Sequence, residues 1–327
     1  MKKKRKLTGH EIRTNRWGYF FVAPFVVVFL IFNLWPTLYT FLLSFTDLSG
    51  LRSGLNFNFV GLENFFKLVK DQYFWSALGN TFIIWGINFL PQLGLALVLA
   101  IWLSDVQLKL VGKGLFRAVV YMPNLLTAAS VALLFRSIFG FNAHVNAPAN
   151  QFLRILGFTS IVDGMVEPIA INFFRNVWFS RGLVAFIQWW MWYGYTLIIL
   201  MAGITTISPS LYESAVIDGA NSRQTTWYIT LPLLRPIMLY ILITSAIGGM
   251  QMFDIPFLIT DMQGGPDFKI RTTTLYQYNR ALGRGATDYA YGAAVSIGIF
   301  LVTIVLALLI YFFLQDRSEL KKQKGGR

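Results

Sequence analysis

The sequence has no cysteine, and only two histidines, His10 and His144, in 327 residues. The first absence excludes disulfides, thiol nucleophiles and thiolate metal sites. The second, with the two imidazoles far apart in sequence, argues against a buried metal centre. Charge is scarce as well: Asp, Glu, Lys and Arg make up 13% of the residues, against about a quarter in a soluble domain. There is no Gly-x-x-x-x-Gly-Lys-[Ser/Thr] run, so any nucleotide must be bound by another polypeptide.

In place of these stand long apolar runs. The chain is 55% hydrophobic with a mean hydropathy of +0.55, and its runs are each long enough to cross a hydrocarbon core of roughly 30 Å. Barrel strands would be alternating segments of about ten residues, so an all-α polytopic membrane protein is expected. The net charge of +13 does not point to nucleic acid. Much of it lies in two tails, residues 1–16 and 316–327, where it holds the cytoplasmic side of a membrane protein against anionic lipid. The basic start followed by an apolar run resembles a secretion signal, but the run from Trp17 to about Leu43 is too long, contains Pro24 and Pro36 and lacks a clear cleavage site. It reads as a retained first span.

Between the tails, residues 17–315 form the membrane domain, with six spans at about 18–45, 73–103, 116–140, 183–207, 237–260 and 288–314. Pro91 interrupts the second and Pro123 lies early in the third. Residues 47–72 form a loop in which Leu62, Phe65, Phe66 and Val69 share a helical 3–4 spacing, as in a short interfacial helix. Residues 104–115, with Asp105, Lys109 and Lys113, form a short connection. Residues 141–182 form a long outer loop, and residues 261–287 a Gly-, Asp- and Thr-rich one. An even count puts both ends on one side, and the positive-inside rule, carried by the tails, makes that side cytoplasmic.

One polar island, Leu211–Pro236 within the inner segment 208–236, has a texture of its own. Ser208 or Ser210 can cap a helix over 211–217, with Glu213 in its first turn. Gly219 permits a tight reversal. Asp218 would fix that turn through a following amide. The run Glu213-Ser214-Ala215-Val216-Ile217-Asp218-Gly219-Ala220, then Ile229-Thr230-Leu231-Pro232, resembles the cytoplasmic motif of ATP-binding-cassette importer permeases, which is written Glu-Ala-Ala, then Asp-Gly-Ala, then Ile-x-Leu-Pro. Ala202–Pro209, Gly264-Gly265-Pro266 with Thr274-Leu275, and Gly61–Phe65 look like the carbohydrate-uptake branch, the maltose, lactose and glycerol-3-phosphate type. The resemblance covers about residues 18–315. Ser214 stands for the second alanine, and Trp227 where phenylalanine is frequent; both keep the size or aromatic character that docking needs.

The resemblance implies a type I importer permease with both termini cytoplasmic, in a bacterial inner (plasma) membrane. Its implied partners are a second homologous permease, two ATP-binding subunits that hold ATP and Mg, an extracytoplasmic solute-binding protein and a carbohydrate. The island would be the ATPase-coupling element: Glu213, Ala215, Asp218, Gly219, Ala220, Leu231 and Pro232. Glu213 would accept hydrogen bonds from the island backbone or pair with a cationic residue of the ATPase, and Leu231 and Pro232 would set the exit into the fifth span. No residue is assigned a catalytic or metal-binding role.

Sugar recognition needs aromatic faces and amide or hydroxyl groups. Gln188, Trp192 and Tyr195 share one face of the fourth span, and Ser245, Gly249 and Met252 one face of the fifth. These six are the expected substrate path. A belt of interfacial aromatics or tight glycine packing would account for the same pattern. Asp254 could steady an outer gate or pair with the other permease. Asn80, Asn88, Gln92 and Asn124 read as interhelical bonds or kink supports, and His144 has no role. An ion-coupled secondary carrier would show a repeat and several buried ionisable groups, and neither is present. A membrane scaffold, and a permease for glycerol phosphate or an anionic sugar, stay open.

Overall fold

The computed structural model describes residues 9–50, 57–104, 112–140, 147–162, 165–260, 262–283 and 287–315. His144, Asp105, Lys109 and the basic tails over 1–8 and 316–327 lie outside the described residues. Among the described residues, five helical spans have the length and apolarity to cross a membrane: Trp17–Leu43, Gln72–Ser104, Val177–Thr205, Arg235–Ile259 and Tyr289–Leu314. A sixth is a bent pair, Lys113–Leu125 with Ala128–Phe139. The chain divides into two compact units, residues 1–69 with 280–297 and residues 70–279 with 298–327.

The first unit begins with α1 (Gly9–Phe29), a π turn over Leu30–Leu34 and α2 (Trp35–Leu43). None of the 18-residue window that defines this span is buried, the pattern of a helix solvated by lipid or covered by another chain. Next comes α3 (Glu63–Lys70). The Asn64 amide donates to the carbonyls of Ser44 (3.0 Å) and Thr46 (2.8 Å), which closes the end of α2. The expected interfacial stripe holds in part: Leu62, Phe66 and Val69 are exposed, while the packed face carries Asn64 and Leu68. Outside the span, Asn58 donates to both carboxylate oxygens of Asp47 and holds that carboxyl below the ordinary aspartate value. Lys67 pairs with Asp288 at 3.3 Å.

The second unit is built on α4 (Gln72–Ser104) packed along α8 (Val177–Thr205). Between them in sequence lie α5 (Lys113–Tyr121), α6 (Ala128–Phe139), α7 (Pro148–Ile155) and a hairpin of β1 (Thr159–Val162) and β2 (Met165–Pro168), which pairs Thr159 with Pro168. After α8 come α9 (Pro209–Ile217), α10 (Ser222–Thr225), α11 (Leu231–Leu233), α12 (Arg235–Met250), α13 (Asp254–Ile259) and α14 (Thr273–Ala281). The last helix, α15 (Tyr289–Leu314), begins in the first unit and ends in the second. One core cluster joins Ile84, Val131, Val184, Ile187, Met191 and Ile255. The other joins Phe89, Ala96, Val120, Leu197, Leu200 and Ile241.

Four expectations change. The third span is not one helix. Pro123 sits in a 3-10 turn, Leu126 and Thr127 are extended, and the chain bends by 85° before α6 starts with Thr127 as its cap. The Asn124 amide donates to the Met191 carbonyl at 3.2 Å and steadies that break. The fourth span starts at Val177 and not near 183, because the Asn176 side chain accepts from the amides of Trp178 and Phe179; the long outer loop is shorter by the same residues. The fifth span breaks between α12 and α13, over Gln251–Phe253. The 261–287 stretch is not all loop, since its polar sequence conceals α14, whose Leu275 amide reaches the Thr272 hydroxyl.

Candidate functional site

A cavity of about 470 Å³ opens in the second unit, between α4, α8, α12 and the α12–α13 break. All six residues of the expected path line it: Gln188, Trp192 and Tyr195 from α8, Ser245 and Gly249 from α12, and Met252 from the break. Asp254, in the first turn of α13, lines it as well. The shared helical faces therefore converge on one space.

The geometry assigns these residues different duties. The Trp85 indole donates to Ser245 Oγ at 3.0 Å and stacks on Phe89, centroids 5.4 Å apart. Gly249 allows that ring to sit against α12, since a Cβ there would lie 2.4 Å from Trp85 Cδ1. Gly249 is thus a close-approach residue more than a contact surface, and Met252, 4% exposed, is wall. Trp192 and Tyr195 meet edge to face at 5.9 Å. Gln92 donates to Thr196 Oγ1 at 2.8 Å, the interhelical bond expected of it, and still borders the cavity. Asn88 does not match its expected role. It is buried, and its Oδ1 has no donor among the described residues.

Sequence reasoning did not join α4 to the site. Trp85, Asn88 and Gln92 recur at i, i+3 and i+7, which is one helical face, and that spacing was the available signal. Tyr240, Thr244 and Gln251 also line the cavity and went unassigned.

The break that supplies Gln251, Met252 and Asp254 exposes backbone carbonyls, and a buried carbonyl needs a donor. Three consecutive threonines supply them. Thr272 Oγ1 donates to the Met252 carbonyl at 2.7 Å, and Thr274 (2.9 Å) and Thr273 (3.4 Å) donate to that of Met250. The segment leading to them is clasped in turn. Asn80 donates to the carbonyls of Phe268 and Arg271, and the buried Arg181 donates to Asn80 Oδ1 (2.5 Å) and to the Lys269 carbonyl (3.0 Å). Asn80 thus serves as the expected interhelical bond.

At the polar island, α9 starts with Pro209 at its first position and ends with Asp218 as its C-cap. Gly219 takes φ +76°, in the left-handed region, and the Ala220 amide donates to the Ala215 carbonyl at 2.9 Å. The reversal is as expected, but three details differ. Ser208 is the N-cap without a side-chain bond, because its hydroxyl meets that of Ser210 at 2.8 Å. Glu213 is exposed and lies past the first turn, since the helix begins at Pro209. Asp218 makes no side-chain hydrogen bond among the described residues; the next helix is opened by a reciprocal pair, Asn221 with Gln224. Ala215 is buried, while Ile217 is 85%, Tyr228 79%, Val216 61% and Trp227 60% exposed. Leu231 and Pro232 form α11 at the entry to α12 and are half-buried. A shallow hollow of about 250 Å³ lies over Asp218, Gly219, Ala220 and Tyr228. Apolar side chains this exposed at a span's end mark a surface that is covered in an assembly.

Three comparisons bear on these sites. Residues 92–319 match the family model for a binding-protein-dependent transport system inner membrane component. The chain is 33% identical over 302 residues to the lactose transport system permease protein LacF of Rhizobium radiobacter, covering 92% of this chain and 95% of that one. It is 31% identical over 292 residues to the arabinooligosaccharides transport system permease protein AraP of Bacillus subtilis, covering 89% and 86%. Its fold is similar to that of a chain in the crystal structure of a bacterial alginate ABC transporter bound to a periplasmic protein, with TM-score 0.73, 21% identity and coverage of 93% and 95%.

Proposed function

The chain belongs to the family of binding-protein-dependent transport system inner membrane components, and from that premise we propose that it forms part of the path of an ATP-driven importer for a carbohydrate, an oligosaccharide in class. It is a multi-pass permease subunit of the inner membrane. The observation that carries the sugar reading is the cavity. It brings Trp85, Trp192 and Tyr195 together with the amides of Asn88 and Gln188 inside the spans, and its volume of about 470 Å³ is that of a small-molecule site. The names of the relatives, for lactose and for arabinooligosaccharides, support the same class.

In this reading a solute-binding protein delivers the sugar from outside. The segment 208–236 docks on a cytoplasmic ATPase through the exposed Val216, Ile217, Trp227 and Tyr228, with Glu213 available to a cationic partner. Two such ATPase subunits bind ATP and Mg, and a second homologous permease completes the path. This chain makes and breaks no covalent bond. Its work is to hold two arrangements of the spans around one weak site, and ATP binding and hydrolysis in the partners select between them. The test is uptake of labelled oligosaccharides into proteoliposomes holding the permease pair, with and without the ATPase and the binding protein. Uptake that needs both supports the reading; uptake without ATP sinks it.

A further inference from the structure

The lining of the cavity is one-sided in charge. Among the described residues it holds amides, hydroxyls, aromatic rings and one carboxylate, Asp254, and no lysine, arginine or histidine. Two arginines elsewhere in the unit are engaged by other groups: Arg181 by Asn80 and the Lys269 carbonyl, and Arg136 by the Leu258 carbonyl. The Asp254 side chain is exposed at the cavity, with no ion pair or hydrogen bond among the described residues.

A sugar hydroxyl or an ammonium can donate to the Asp254 carboxylate. A carboxylate, sulfonate or phosphate group on the ligand would instead bring a second negative charge next to Asp254 with no cation in the described lining to offset it, and like charges at close range repel.

We infer that Asp254 makes the cavity a charge filter: it takes uncharged and amine-bearing saccharides and refuses anionic ones. The filter rests on the carbohydrate reading above and goes further, because glycerol phosphate and anionic sugars drop out as substrates.

The test uses the full chain assembled with its partner subunits in lipid nanodiscs, without the binding protein, so that only the membrane site is read. The probes are (1→4)-linked disaccharides of glucose, glucuronate and glucosamine, with the galacto and manno sets alongside, titrated against tryptophan emission. Within any configuration that binds, the neutral disaccharide is expected to bind about tenfold or more tighter than the uronate, and the amine-bearing one tighter still. Asp254→Asn brings the three affinities to within about threefold of one another, and Asp254→Glu, which keeps the charge, preserves their order. A uronate that binds the unaltered protein as tightly as the neutral sugar overturns the filter. So does an unchanged ratio in Asp254→Asn, including the case where that variant loses its partner permease because Asp254 pairs across the dimer. If none of the sugars changes the emission, the carbohydrate reading itself falls, an outcome distinct from binding without charge preference.

Discussion

Two adjacent glycines, Gly248 and Gly249, both border the cavity, yet the structure gives them opposite tolerances. An added Cβ at Gly248 meets nothing within 4 Å. At Gly249 it would lie 2.4 Å from Trp85 Cδ1 and 2.7 Å from Cγ, so the indole has to move. Its bond to Ser245 Oγ, 3.0 Å long, goes with it. Overpacking of this kind costs about 1–3 kcal/mol, and the lost hydrogen bond adds about 1 kcal/mol. Both alanines gain the same helix propensity, about 1 kcal/mol over glycine, and that gain cancels when the two are compared. Gly249→Ala is therefore expected to be about 2–4 kcal/mol less stable than Gly248→Ala. The measurement is a denaturant titration of the two variants in mixed micelles, repeated in a Trp85→Val background. With the ring gone the difference between the alanines should shrink to a few tenths of a kcal/mol, a direct coupling between positions 85 and 249. Alanines that unfold alike, or a difference that survives the removal of Trp85, would refute the close approach.

Three further outcomes follow from other parts of the molecule. Gly219 holds φ +76° with open space around it, so Gly219→Val suffers from conformation alone, about 1–2 kcal/mol; it is expected to depress ATP-coupled uptake while sugar binding at the cavity is kept, and Gly219→Asn, which tolerates the left-handed region, should retain most of the uptake. Thr272→Val strips the donor from the Met252 carbonyl and should raise hydrogen exchange over 250–255 by an opening free energy of about 1–3 kcal/mol, more than Thr274→Val does, because Met250 keeps Thr273. Asn88→Leu removes a buried acceptor that has no donor among the described residues; it is expected to stabilise the protein by up to about 1–3 kcal/mol, read by denaturant titration.

Much of the architecture was legible because apolar run length is a local property. Gln72–Ser104 and Tyr289–Leu314 lie within a residue or so of where hydropathy puts them. What was not legible depends on partners distant in sequence. Pro123 signals a disturbance, but the 85° bend also needs extended conformations at Leu126 and Thr127 and the Asn124 bond to Met191. The polar α14 gives no hydropathy signal; it is held by Thr273 against Thr81 and by the Tyr276 hydroxyl on Asp71. At the site, the faces of α8 and α12 could be read from 3–4 spacing. Trp85, Asn88 and Gln92 share a face just as clearly, yet nothing local says that α4 is the helix they border. On the island, residue types predicted a turn at Gly219 correctly, while the bonding fell to Asn221 and not Asp218.

The polar residues of the spans then divide by whether their hydrogen bonds close within the protein. Asn80, Gln92, Asn124 and Thr273 are closed on helix partners or freed carbonyls, and removing one of them would leave a buried group unpaired, so they serve the fold. The side chains of Gln188, Gln251 and Asp254 stay open among the described residues, and all three border the same cavity. Other open groups, Ser104 Oγ, Ser180 Oγ and Trp189 Nε1, lie in the same helices but off this lining, so an open group alone does not mark the site; three polar side chains open on one lining do, since apolar residues of similar size would cost less there. Their convergence is what an exchangeable ligand requires: donors and acceptors left unmatched until it arrives, and a closed set behind them that keeps the walls in place as it comes and goes.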